Sequence, residues 1–196
     1  IDTLTVLGRP EAGPVLFELT RHRRAEVRRA AARAIAATSP RGAGRVLVEA
    51  LSDADPEVRG AAAEGLGTLG ATEGLDALFL AFERRVPEAA MAIGQLARPA
   101  DVERFLGRLG RVPFDRVAPA LSEMLHRRDL AERAKLSIVH HLTELATAGA
   151  RRFLEDYIAS LAWRVVAPRV SRAETGAFLP VMMPSHFMVL AGADSA

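Results

Sequence analysis

Apolar or small side chains recur every three or four residues in the segment that follows Pro56. They are Val58, Ala62, Gly65, Leu66 and Leu69, and between them stand Glu57, Gly60, Glu64 and Thr68. This spacing follows the turn of an α-helix, so it predicts a helix with one packed face and one face in water. Asp55 is placed to cap the free amides of this helix, and Pro56 occupies its first turn, where no donor is needed.

The pattern returns at an interval of thirty-one residues. Segment 25–32 matches segment 56–63 at most positions, and Leu16, Leu47 and Leu78 share the same spacing in the apolar runs upstream. Each interval therefore holds two helices. A period of this length is typical of a stack of helical pairs, which offers an extended surface for binding another macromolecule.

The apolar spacing predicts one all-α repeat domain over residues 1–163, with clear repeats at 13–109 and degenerate ones at 110–163. The predicted helices cover residues 13–21, 25–37, 43–51, 56–69, 75–82, 87–97, 101–109, 114–126, 130–146 and 151–163. Beyond them, residues 164–196 mix apolar residues with prolines such as Pro168, which argue against a continuous helix. We expect an extended tail that caps the stack, with docking on a partner as the alternative.

Charge is nearly balanced along the chain, with 26 basic and 24 acidic residues. Net charge alone therefore implies no polyanionic partner. The arginines are nevertheless concentrated near the N-terminus, opposed there only by Glu26: they are Arg21, Arg23, Arg24, Arg28, Arg29 and Arg33. One Trp and one Tyr provide few platforms on which nucleic-acid bases could stack.

Several classes of protein are excluded by composition. The chain has no cysteine, which rules out disulfides, thiolate catalysis and cysteine-based zinc sites. No apolar stretch approaches the roughly 20 residues of a membrane span. We expect a cytoplasmic protein, and because the chain begins with Ile1 rather than Met, it is compatible with a piece of a longer polypeptide.

Residues 53–67 resemble the turn and second helix of short bacterial HEAT-like repeats, the kind also found in phycobilin lyases. The resemblance is strong over 26–37 and 53–70, weaker to residue 109, and beyond that rests on helix pairing alone. The signatures of ankyrin and tetratricopeptide repeats are absent. The resemblance implies a right-handed α-solenoid in which the second helices line the concave side and carry the binding surface.

The resemblance also implies an internal ladder, in which an arginine of one repeat bonds to an aspartate in the neighbouring turn. Arg28 and Arg59 stand at the arginine position, and Asp53 and Asp55 are the available acceptors. In the first repeat Arg24 stands where the second has Asp55, so the usual cap is lost there. Arg24 is therefore a candidate for a contact with a partner.

Arg29 and Arg33 lie four residues apart on one helix face, and we select them first for a contact surface. The predicted partner-binding residues are Arg24, Arg29, Arg33, Glu57, Glu64 and Gln95, with Glu26 and Gly60 on the same face. The alternative is an ordinary solvated helix face whose charges are screened by salt. If these arginines form a functional surface, they would bind phosphates or an acidic protein surface.

Catalytic and metal-binding motifs are not recognisable. His140 and Glu144 share a helix face at a spacing that suits two metal ligands, with His141 beside them, but a third ligand is not evident unless His126 or His186 supplies it. The nearest candidate for handling a nucleic-acid base is Trp163 with Asp156, and we expect Trp163 to pack the last helix instead. We therefore predict no metal, no cofactor and no catalytic site.

These observations favour a non-enzymatic scaffold or adaptor that binds a protein partner on its second helices, an acidic protein being one form of that partner. Two alternatives remain open. One is binding of a nucleic-acid backbone by the N-terminal arginines. The other is a HEAT-based enzyme such as a chromophore lyase or a DNA glycosylase. The residues do not indicate an oligomeric state.

Overall fold

The computed structural model describes the backbone of residues 12–170 and the side chains of residues 12–161. Within this range the chain is helical throughout, without a β-strand. The helices are α1 (Gly13–Leu19), α2 (Ala25–Thr38), α3 (Ala43–Ala50), α4 (Pro56–Leu69), α5 (Leu75–Glu83), α6 (Glu88–Leu96), α7 (Pro99–Leu106), α8 (Phe114–His126), α9 (Glu132–Leu145) and α10 (Ala148–Val170). None of these helices is long and apolar enough to cross a lipid bilayer.

The limits of α4 follow from local chemistry at both ends. The carboxylate of Asp55 accepts hydrogen bonds from the amides of Glu57 at 2.9 Å and Val58 at 3.2 Å, as its position before Pro56 predicts. Gly70 ends the helix with φ 67°, a left-handed conformation that glycine adopts without strain. The predicted start of this helix is confirmed.

The helices up to Leu145 form one compact unit of two layers. Helices α2, α4, α6 and α8 pack side by side in chain order, and α2, α4 and α6 each also pack on the preceding helix of their own repeat. Helix α9 contacts both α7 and α8, so helix packing continues into the region where the sequence repeat has faded. The predicted all-α solenoid of stacked helical pairs is confirmed.

The core of this unit is built from leucines at repeat-equivalent positions and from small side chains. Leu16, Leu47 and Leu78, which the sequence places thirty-one residues apart, are all completely buried. Glycine allows the closest approach of helices, because a Cβ at Gly94 would lie 2.8 Å from the carbonyl oxygen of Ala120. The stack is therefore held by close helix packing as well as by burial of apolar surface.

Helix α10 belongs to a second unit, which begins at residue 146. It continues to Val170, so the predicted end of the helix at Trp163 is wrong for residues 164–170. Pro168 removes one backbone donor near the end of a long helix, and the other hydrogen bonds of the helix can outweigh that loss. Residues 171–196 lie outside the described range, and the capping role of the tail stays a prediction.

Candidate functional site

Arg28 connects the first repeat to the second. Its Nε and Nη2 donate to Oδ2 and Oδ1 of Asp53, both at 2.7 Å, and its Nη1 donates to the carbonyl of His22 at 2.8 Å. The side chains of Arg28 and Asp53 are only 17% and 12% exposed. A paired geometry of this kind, largely shielded from water, fixes two loops relative to each other.

This contact changes the ionisation of both groups. The hydrogen bond from Arg28 holds the pKa of Asp53 below its ordinary value of 3.8, although partial burial opposes the shift, and the amide of Asp55 adds a further bond. The same hydrogen bond raises the pKa of Arg28. Both groups are therefore favoured in their charged forms by the folded structure.

Arg59 repeats the bonds to loop carbonyls but not the bond to a carboxylate. Its Nη1 donates to the carbonyls of Asp53 and Ala54 at 2.7 and 2.9 Å, as Arg28 donates to the carbonyls of His22 and Arg23. Asp53 follows Arg28 by 25 residues, and the residue at the same interval after Arg59 is Arg84, which cannot accept such a bond. Asp55 bonds to neither arginine, since its carboxylate caps α4.

The exposed faces of α2, α4 and α6 carry a row of residues at equivalent repeat positions. Arg33, Glu64 and Gln95 are separated by thirty-one residues each, and all three are exposed. No hydrogen bond or ion pair engages the side chain of Arg33 among the residues that the structure describes. We define the second-helix surface as these three residues together with Glu26, Arg29 and Glu57.

Arg29 and Glu57 form a weak ion pair within this surface. Nη1 of Arg29 lies 3.3 Å from Oε2 of Glu57, and the two side chains are 35% and 69% exposed. Gly60 and Glu88 occupy the positions of Arg29 and Glu57 one repeat later. The carboxyl carbon of Glu88 lies 2.9 Å from where a Cβ on Gly60 would stand. Gly60 is buried under this side chain, so it is not exposed as the sequence pattern predicts.

Arg24 precedes α2 and its side chain does not cap the helix. Its backbone amide donates to Nδ1 of His22 at 3.1 Å, so the neighbouring histidine forms the turn that an aspartate would otherwise form. The side chains of Arg24, Arg21 and Arg23 are all exposed. Within the N-terminal arginine cluster, Arg28 alone forms a largely buried ion pair with another residue of the described range.

A groove of about 690 Å³ opens between the turn that joins α5 to α6 and the loop that joins α7 to α8. Four arginines line it, and we call it the arginine groove: Arg85, Arg108, Arg111 and Arg116. No motif described above predicts this groove. The signal was present at Ala90, which stands thirty-one residues after Arg59 and replaces the ladder arginine with a short side chain.

The histidines considered as metal ligands lie on the surface of α9. Nε2 of His140 is 3.4 Å from Oε1 of Glu144, and the two side chains are 75% and 62% exposed. Across the described part of the chain, no three potential ligands are grouped as a metal ion would require. His126 instead lies with Nδ1 2.7 Å from the carbonyl of Ser122.

Of the two residues considered for handling a nucleic-acid base, only Asp156 has a described side chain. Asp156 is exposed on α10, whereas the side chain of Trp163 and all of His186 lie outside the described residues. The expectation that Trp163 packs the last helix therefore stays a prediction.

Comparison with known proteins matches residues 13–88 to the family model of HEAT repeats. The match begins with α1 and ends at the first residue of α6, so it includes the Arg28–Asp53 contact and most of the second-helix surface. A search of curated proteins gave no significant match. The fold and this match together support a HEAT-like repeat protein, while the likeness to the phycobilin-lyase type stays a prediction.

Proposed function

We propose that this chain is a non-enzymatic scaffold that binds a partner protein through its second-helix surface. The proposal is carried by Arg33, Glu64 and Gln95, which are exposed at equivalent positions of three adjacent helices. HEAT repeats commonly act as protein-interaction scaffolds, and residues 13–88 match them. Binding along a row of parallel helices is the typical use of such a stack.

The rigidity of the stack favours this use. Completely buried residues such as Ala32 and Ala62 hold α2 and α4 in place, and the Arg28–Asp53 contact ties the loops at their ends. A surface fixed in this way loses little conformational freedom when a partner binds, so more of the interaction energy contributes to affinity.

The charges of the surface suit selective recognition of a protein. Arg33 is cationic, Glu64 is anionic and Gln95 is neutral, so successive repeats present different chemistry. The exposed Arg29–Glu57 pair can exchange its internal contact for charged groups of a partner at low cost. A partner with complementary charges in the same order would be favoured over others.

Binding of a nucleic-acid backbone is the second candidate, and the exposure of Arg21, Arg23 and Arg24 favours it. Against it, Glu57 and Glu64 are exposed on α4, the helix next to α2, and would repel phosphates. Affinity for DNA or RNA would fall steeply as salt rises, because counterions are released on binding. Flat salt dependence would reject this candidate.

The proposal is tested by using the full chain as bait in lysate of its source cells, with and without nuclease. We expect one protein to be retained after nuclease treatment and to be lost from the Arg33→Glu, Glu64→Arg double variant. Arg133→Glu is the matched control, since Arg133 is an exposed arginine on α9. Recovery that disappears with nuclease would contradict protein binding and favour the nucleic-acid candidate.

A further inference from the structure

We propose that the arginine groove binds an acidic peptide segment of the partner, in which carboxylates flank an apolar side chain. This inference rests on the proposed function as a protein-binding scaffold, but it places a second contact outside the second-helix surface. The family match covers only part of the groove, since six of its eleven lining residues follow residue 88.

The groove lies where the third repeat lacks a ladder arginine. Arg28 and Arg59 fold back over the carbonyls of the loops that precede their helices. Ala90 occupies the equivalent position of the third repeat and cannot reach the loop before α6. The loop before α6 therefore lacks the arginine that folds over the corresponding loop in the first two repeats, and Val86 and Ala90 lie at the floor of the groove, 4% and 1% exposed.

The groove carries an excess of positive charge. Arg108 is already bound to Glu83, since its Nε and Nη2 donate to Oε1 of that residue at 2.9 and 2.7 Å. Arg85, Arg111 and Arg116 are exposed, and no carboxylate pairs with them among the described residues. Guanidinium groups of this kind bind carboxylates through two parallel hydrogen bonds.

The backbone at the rim fixes the position of Arg85. This residue has φ 66°, a left-handed conformation that glycine would adopt with less strain. The conformation closes the end of α5, because the amides of Arg85 and Val86 donate to the carbonyls of Phe82 and Ala81, both at 3.0 Å. Here it places an arginine, rather than a glycine, in the turn that leads into α6.

The apolar part of the lining favours a peptide over a nucleic acid. Pro87, Val112 and Pro113 line the groove beside the arginines, are at least partly exposed, and offer contacts to an apolar side chain. The one aromatic ring in the lining, that of Phe82, is only 5% exposed, so it is not available for stacking on a base. Carboxylates next to an apolar side chain match both features of the groove.

The test uses the full chain and a fluorescent synthetic peptide in which leucine and phenylalanine alternate with glutamate. A matched peptide has lysine in place of glutamate. We expect only the acidic peptide to bind, and Arg111→Gln and Arg116→Gln each to weaken binding about tenfold, the loss that follows from one charge-assisted contact. Arg133→Gln is the control variant and should leave the affinity unchanged.

Ala90→Arg separates a specific groove from general attraction between opposite charges. This substitution adds a positive charge but restores the arginine that folds over the corresponding loop in the first two repeats, so we expect it to weaken binding of the acidic peptide. Tighter binding of the peptide to Ala90→Arg would overturn the proposal. Unchanged binding to the Arg111→Gln, Arg116→Gln double variant would overturn it as well, and this result does not depend on the folding of Ala90→Arg.

Two further results would show which part of the proposals fails. Tighter binding of a single-stranded oligonucleotide than of the acidic peptide, lost in the same double variant, would reject the peptide and assign the groove to nucleic acid. If the peptide fails to bind while Arg33→Glu, Glu64→Arg still abolishes partner capture, only the groove proposal is rejected.

Discussion

Arg28 and Asp53 form a paired, largely shielded ion pair between consecutive repeats, with two donor–acceptor distances of 2.7 Å. The next residue, Arg29, reaches Glu57 on the neighbouring helix through one exposed contact of 3.3 Å. Two adjacent arginines thus have different roles. The first stabilises the stack, and the second remains available at the surface.

We predict that Asp53→Asn lowers the free energy of unfolding, whereas Glu57→Gln leaves it nearly unchanged. The first substitution removes the charge of a carboxylate that is mostly shielded from water, and the second affects an exposed pair of little net value. Urea unfolding of the two variants and the parent chain measures the difference. Equal losses would contradict a special role for Asp53.

Acid should destabilise the chain partly through Asp53. The pKa of this carboxyl is lower in the folded than in the unfolded chain, because Arg28 bonds to its charged form. Its contribution to stability is therefore complete above the ordinary pKa of 3.8 and is lost as pH falls below that value towards the folded pKa. Denaturant unfolding across this range should show a smaller acid-induced loss for Asp53→Asn than for the parent chain.

Gly94→Ala should destabilise the stack by about 1–3 kcal/mol, the usual cost of overpacking. The added Cβ would lie 2.8 Å from the carbonyl oxygen and 3.0 Å from the Cα of Ala120, and these backbone atoms of α8 can move only with their helix. Gly107→Ala is the matched control, because its Cβ would meet nothing closer than 3.7 Å. Thermal unfolding should separate the two variants, and equal melting temperatures would argue against this close packing.

Charge reversal at Arg29 and Arg33 should weaken partner binding without shifting the melting temperature by more than a few degrees. Arg33 has no internal partner among the described residues, and Arg29 has only the exposed contact with Glu57. Binding of the captured partner and circular dichroism on the same samples would measure both effects. Unfolding of the double variant would instead indicate that these arginines stabilise the helix.

Local signals were sufficient to predict most of the fold. Apolar spacing placed α8 at residues 114–126, the bounds that the structure has, and the Asp55 cap marked the start of α4. The continuation of α10 through Pro168 was not predictable in this way, because a single unfavourable residue competes with the hydrogen bonds of the whole helix.

The site depended more on tertiary geometry. From the sequence, both Asp53 and Asp55 were possible acceptors for Arg28. The relative placement of two loops determines that Arg28 bonds to Asp53. The burial of Gly60 under Glu88 likewise depends on how closely α4 and α6 pack. The arginine groove was harder to predict, since its lining combines the turn before α6 with the loop before α8, which are separated in sequence.

Site-specific photocrosslinking is the most direct test of partner binding through the second-helix surface. A photoreactive amino acid would replace Glu64 or Gln95 on the second-helix surface, or Leu80, which is 47% exposed on α5 in the other layer. We expect the same protein adduct from positions 64 and 95 and none from position 80. An adduct from position 80 alone would contradict binding through the second helices.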